Sequence, residues 1–284
     1  MALWDSVTNF FSDLGDMFSG KAFFEIAGEA WNDIMKLSRT VLLVNPTTGD
    51  NAATWESVTD IYTTLNVIAA SLLVVFFLYG FCRDSIDIKT ELTLDRCIKL
   101  FIRLIIVANL MEMALSWMPK FMTWIRKICK VILGDSKFAF TFDGAKIYDD
   151  IVSASGWGTF TAFMTSILFF LFTLACGFMV LLTILNRILK IYMIAPFAGC
   201  ALSTLAAGGQ ASQVGFSYIK AFFEYVLAAL LISVVILLSS SFISSLSFSS
   251  DSAILVLATY CLKMAAIATS VKGAEQMMQK AFGL

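Results

Sequence analysis

LNVIAASLLVVFFLYGFC, residues 65–82, decides the fold. It lies within 22 consecutive uncharged residues, Ile61–Cys82, bounded by Asp60 and Arg83. A helix needs about 20 apolar residues to cross about 30 Å of hydrocarbon, and this run supplies them. Two more runs have the same character. Between Asp150 and Arg187 lie 36 uncharged residues, densest at Phe160–Leu185. Between Glu224 and Asp251 lie 26, beginning YVLAALLISVVILL.

The whole chain agrees with these runs. Of its 284 residues, 59% are hydrophobic and 14% charged, and mean hydropathy is +0.83. A soluble domain averages roughly 45–50% apolar and about 25% charged residues. So few charges would not cover a globule of this size, and the solvent for much of the chain is lipid.

Two further segments have the length of a span but carry charge. Ile98–Met118 contains Arg103 and Glu112, and Ala253–Val271 contains Lys263. A third, Ile191–Ile219, is uncharged but holds Pro196, Gly199, Gly208, Gly209 and Gly215. Proline and the glycine pair interrupt it, so the expectation is a broken or re-entrant element. The fold expected is therefore all-α and polytopic. Its five transmembrane helices lie near 61–82, 98–118, 160–185, 225–246 and 253–271, with the broken segment at 191–219.

Charge sets the expected path through the membrane. Arg83–Lys99 holds Arg83, Lys89, Arg96 and Lys99, whereas Asn45–Asp60 holds no Lys or Arg. The positive-inside rule then puts the N-terminus outside and Arg83–Lys99 in the cytoplasm. Five crossings bring Arg187, Lys190, Lys220, Lys272 and Lys280 inside and leave the C-terminus cytoplasmic. The expected location is the bacterial cytoplasmic membrane.

Residues 1–53 read as extracytoplasmic amphipathic helices, ahead of a transmembrane domain at 54–284. Leu3, Val7, Phe10, Leu14 and Met17 recur at three and four residues, and Phe23, Phe24, Ala27, Trp31, Ile34, Ser38 and Val41 make a second stripe. Asp5, Asp13 and Asp16 precede the first lysine, Lys21, so no basic signal-peptide region is present. Asn45-Pro46-Thr47-Thr48-Gly49 reads as a turn, with the next helix beginning near Thr54. Pro119 is expected to separate the second span from an interfacial helix at Phe121–Leu133, and Asp135–Ile147 to be an exposed loop or short hairpin.

Several function classes drop out. With 20 Lys and Arg against 21 Asp and Glu, the chain lacks the cation excess of a nucleic-acid-binding surface. It has no histidine, which removes imidazole metal sites and Ser–His–Asp or Cys–His catalysis. The cysteines are scattered, mostly through apolar runs, and form no CxxC. No HExxH, GxSxG or GxxxxGK[ST] is present. The expectation is a protein that is not an enzyme and has no cofactor or metal.

The candidate polar residues for a pore or a subunit contact are Arg103, Glu112, Arg187, Lys190, Pro196 and Lys263. Arg96, Lys99 and Arg103 form one basic stripe, from which Arg103 snorkels to the interface or meets a phosphate or an acidic patch. Glu112, nine residues on, faces the opposite side of the helix and needs another partner, water or a proton. Lys263 snorkels or faces the bundle interior, with a carboxylate such as Glu112 as its partner. Lys220 and Glu224 read as a surface pair.

Two stretches carry a family resemblance: ELTLDRCIKLFIRLIIVANLMEMA, Glu91–Ala114, after the first span, and RILKIYMIAPFAG, Arg187–Gly199, after the third. Together with the hydropathy layout over Thr54 to Lys280, they resemble the TrbL-type family. These are polytopic inner-membrane subunits of conjugative type IV secretion systems, and the resemblance is to the versions on Gram-positive conjugative elements. It implies a channel or scaffold subunit for DNA transfer. It implies as partners membrane lipid, the secretion ATPases, the coupling protein, other copies of the chain, and a relaxase-bound single strand of DNA. The family's polar central segment near the DNA path corresponds to Arg187–Lys220. The rival readings are a small-solute transporter or ion channel, and a scaffold without a pore.

Overall fold

The computed structural model describes residues 20–86, 94–134, 142–154, 159–245 and 253–282. Among them every regular element is helical. The protein is an all-α, polytopic membrane protein. The first expected amphipathic helix, at 3–17, lies outside the described residues.

Helix α1, Lys21–Leu43, is the second amphipathic helix. It buries Phe24, Ala27, Gly28, Trp31, Met35, Ser38 and Leu42, the three-and-four spacing of one face. The turn after it is built on Asn45, whose Oδ1 accepts from the Thr47 amide at 3.1 Å. Helix α2, Ala52–Ile86, contains the 65–82 run, in which only Ala69 and Gly80 are buried within the chain, as a lipid-facing helix requires.

Helix α3, Leu94–Leu133, corrects the expected break at Pro119. Proline forfeits one backbone hydrogen bond. The packed stripe Ala114, Met118, Met122, Ile125 and Cys129 nevertheless keeps its register through it. That continuity of packing holds the helix on both sides of the proline. Helix α4, Gly144–Ala154, corrects the second half of the expected loop at 135–147, whose residues 135–141 are outside those described. Asp143 caps it, with Oδ1 accepting from the Ala145 and Lys146 amides at 3.1 and 3.3 Å.

Helix α5, Thr159–Ile194, runs into a broken segment: a 3₁₀ turn at Ala195–Phe197, the short α6 at Ala198–Ser203, and further 3₁₀ turns at Thr204–Ala207 and Gly209–Ser212. Helices α7, Gln213–Ser245, and α8, Ala253–Phe282, complete the chain. Among the described residues four stretches are long and apolar enough to cross a membrane: Ala52–Arg83, Thr161–Ala207, Gly209–Ser239 and Ala253–Ala281. Five spans were expected. The stretch 98–118, which carries Arg103 and Glu112, is not among the four.

The chain divides into two compact units. The first comprises Met1–Leu43, Val131–Leu185 and Ile232–Ala274. Here α1 lies on α4 and α5. The Phe24 and Phe169 rings are 5.2 Å apart, and Asn32 exchanges two 3.0 Å hydrogen bonds with the Phe142 backbone.

The second unit comprises Val44–Lys130, Asn186–Leu231 and Glu275–Leu284. Helices α2 and α3 pair antiparallel. The Tyr62 hydroxyl donates to the Met111 carbonyl, and the tilted Phe77 and Phe101 rings have centroids 5.5 Å apart. The broken segment runs along α2. Gly199 sits against Asn66 and Ala69, and Ala207 against Gly80. Fourteen residues of α2 at 1.5 Å each make that path about 20 Å long. At its other end the Tyr218 hydroxyl donates to the Ile194 carbonyl at 3.1 Å. Residues 195–217 therefore form a hairpin whose ends meet and whose tip is Gly208–Gly209. The break expected within 191–219 is present.

The contacts also join what the expected topology separates. Pro46 accepts from the Tyr192 hydroxyl at 2.7 Å, and two residues away Lys190 pairs with Glu275. Residues before the first span and after the last thus share one end of this unit, while Arg83 meets the hairpin tip at the other. Within this unit Arg83 and Lys190 therefore lie at opposite ends of α2. In cells, Asn51→Cys and Lys280→Cys are expected to react with an impermeant maleimide from the same side. Labelling from opposite sides would restore the charge-based path.

Candidate functional site

The polar residues of the second unit fall into two groups. The first is at the hairpin tip. Gly208 and Gly209 take φ of +65° and +56°, which turns the chain between Ala207 and α7. Arg83 from the end of α2 donates from Nη1 to the Gly208 carbonyl at 3.1 Å. Arg103 from α3 lays its guanidinium on Gly208, where a Cβ would come within 3.1 Å of its Cζ. Two cations thus close over backbone that only glycine leaves open. Arg103 was named from the sequence as a snorkelling residue. Arg83 was seen only as a topology marker, because nothing local links it to residues 125 positions away.

The second group lies between α5, α7 and the end of α8. Lys190 pairs with Glu275, and its Nζ sits 5.5 Å from the centre of the Tyr225 ring. Arg187 is 5% exposed. Its Nη1 donates to the Tyr225 carbonyl at 3.5 Å, and its Nε has no hydrogen-bond partner among the described residues. Glu224 corrects the expected surface pair with Lys220: Lys220 is exposed, but Glu224 is 2% exposed. Its carboxyl meets the Gln279 side chain, with Lys190 and Glu275 in electrostatic range, and its Oε1 has no hydrogen-bond partner among the described residues. Two cations and two carboxylates balance here. A buried charge is retained at low cost only when it is paired and hydrogen-bonded. One buried donor atom and one buried acceptor atom remain unused.

The other candidates stand apart. Pro196 is buried in the first turn of the broken segment and starts the hairpin. Glu112 is exposed on α3. Lys263, in the first unit, sits with Nζ 5.4 Å from the Tyr260 ring centre, and Tyr260 donates to Asp150 Oδ2 at 2.7 Å. Within this unit the neighbours of Lys263 are therefore Tyr260, Lys146 and Asp150. Among the described residues no three acidic or cysteine side chains gather as metal ligands would. The chain matches no protein-family model, no curated protein and no solved structure.

Proposed function

We propose that this chain is a non-catalytic channel or scaffold subunit of a conjugative DNA-transfer apparatus of the type IV secretion class. One observation supports the reading. Parts of the two stretches that carry the resemblance, residues 97–114 of the first and 195–199 of the second, pack on α2 in the second unit. Arg103 of the first lies on Gly208, nine residues after the end of the second. The partners proposed are membrane lipid, the secretion ATPases, the coupling protein and, along the conduit, a single DNA strand with its relaxase. The membrane proposed is the bacterial cytoplasmic membrane, with Arg83 facing the cytoplasm and Asn51 outside.

Clean deletion of the gene in a donor cell tests this. Transfer of DNA to a recipient should be abolished and restored by a plasmid copy, while relaxase nicking at the origin persists. Unchanged transfer from the deletion strain would overturn the proposal. The Arg187–Lys190–Glu224–Glu275 group, with Arg187 and Glu224 buried, favours a second reading, a small-solute transporter or ion channel. That reading requires the purified chain alone to move solute or current in proteoliposomes.

A further inference from the structure

Three sulfur atoms come together inside the first unit. Helix α8 carries Cys261 and Met264 three residues apart, which puts both on one face. Helix α5 carries Thr173 and Cys176 at the same spacing. The two pairs face each other and their contacts cross. Thr173 Oγ1 lies 3.3 Å from Met264 Sδ, and the Cys176 and Cys261 thiols are in electrostatic range of each other. One turn of α5 therefore sits on one turn of α8. Lys263, between Cys261 and Met264 in sequence, turns to the Tyr260 ring instead.

The group is shut away from water. Thr173 and Met264 are fully buried and Cys176 nearly so, while Cys261 is half-buried and leaves a way in. Both thiols are free. The Thr173 hydroxyl has a single proton, and the Phe169 carbonyl at 2.8 Å is a better acceptor for it than the Met264 thioether. Met264 Sδ thus keeps its lone pairs for another partner.

The donor set selects the ligand. Thiol and thioether sulfur are soft donors, and soft donors favour Cu(I). Zinc takes four ligands from cysteine, histidine and carboxylate. Among the described residues no third cysteine, aspartate or glutamate joins Cys176 and Cys261 to build such a set. A monovalent ion also suits an apolar interior. As the Cu–S bond forms, one S–H bond breaks and its proton leaves to solvent, so thiolate and Cu(I) together carry no net charge. The second thiol and the thioether bind as neutral donors.

We propose that Cys176, Cys261 and Met264 form a binding site for the soft monovalent ion Cu(I) between α5 and α8. The site goes beyond the conjugation reading and does not depend on it.

Titration of the purified full chain in lipid nanodiscs tests this, with Cu(I) held under ascorbate against a competing chelator and Ag(I) as a probe that needs no reductant. The chain should take up one tightly held ion and melt at a higher temperature with it than without it. Cys176→Ala and Cys261→Ala should each weaken binding by more than the roughly 10–100-fold that loss of an outer partner of a metal ligand costs. Met264→Leu, which keeps the volume, should also weaken it, and Thr173→Val, which touches only a ligand, should do so by about tenfold. Cys82→Ala, outside the group, should leave affinity unchanged. The metal-free melting temperature of each variant separates loss of the site from loss of the fold. Tight uptake that survives Cys176→Ala combined with Cys261→Ala would overturn the proposal. So would a reduced wild-type chain that takes up neither ion, or one that holds Zn(II) more tightly than Cu(I).

Discussion

Gly144→Ala is expected to undo the docking of α1 on α4. A Cβ at Gly144 would lie 2.6 Å from the Glu25 amide nitrogen and closer still to the Phe24 carbonyl oxygen. Both are backbone atoms of α1, so no side chain can swing away. Overpacking of this kind costs about 1–3 kcal/mol, and a clash with backbone belongs at the upper end. Gly28 faces the same crossing. Its Cβ would come to 3.0 Å from the Gly144 nitrogen and the Phe142 carbonyl oxygen, so Gly28→Ala should cost less. Gly273→Ala is the control. Nothing lies within 4 Å of that Cβ, and relief of glycine's helix penalty should leave it neutral or stabilised by up to about 1 kcal/mol. Thermal unfolding of the three variants in lipid nanodiscs should rank them Gly144→Ala below Gly28→Ala below Gly273→Ala. Equal melting temperatures for Gly144→Ala and Gly273→Ala would show that the helices do not cross at these glycines.

Gly208→Ala is expected to open the hairpin tip for two separable reasons. The backbone there has φ +65° and ψ 178°, a combination that costs a residue with a Cβ about 1–3 kcal/mol. The same Cβ would also drive into the Arg103 guanidinium. Gly49 isolates the backbone contribution, since its φ is +71° and nothing lies within 4 Å of its Cβ. Gly49→Ala should therefore destabilise less. Combining Gly208→Ala with Arg103→Ala should cost less than the sum of the two, because one variant removes the atom the other collides with. Strict additivity would mean that Arg103 does not rest on the glycine pair.

Much of the architecture was legible because it rests on local pattern. The apolar runs at 61–82, 160–185 and 253–271 fall inside α2, α5 and α8, and that at 225–246 falls largely within α7. The proline and glycines of 191–219 announced the break, and the three-and-four spacing announced α1. Pro119 misled because a local rule was applied where packing prevailed. A stripe buried in register on both sides of a proline outweighs the hydrogen bond it loses.

The candidate site was legible residue by residue and illegible as an assembly. Arg187 and Lys190 stood out as charges beside an apolar run. Their neighbour Glu275, and the burial of Glu224 against Gln279, did not, since those contacts join positions tens of residues apart. Charge counting weighs each flank alone and does not know that the hairpin at 195–217 carries the chain along α2 and back.

By itself the sequence determined that the chain is helical, that lipid is its solvent, where the apolar helices lie and where one of them breaks. Composition and periodicity act within a few turns of one helix, and those features need nothing more. Only the tertiary structure decided that Arg83 and Arg103 close over Gly208, that Lys190 meets Glu275, and that Gly28 and Gly144 let two backbones touch. Such contacts depend on the path of the whole chain, which apolar burial drives without regard to sequence distance and which no local pattern encodes.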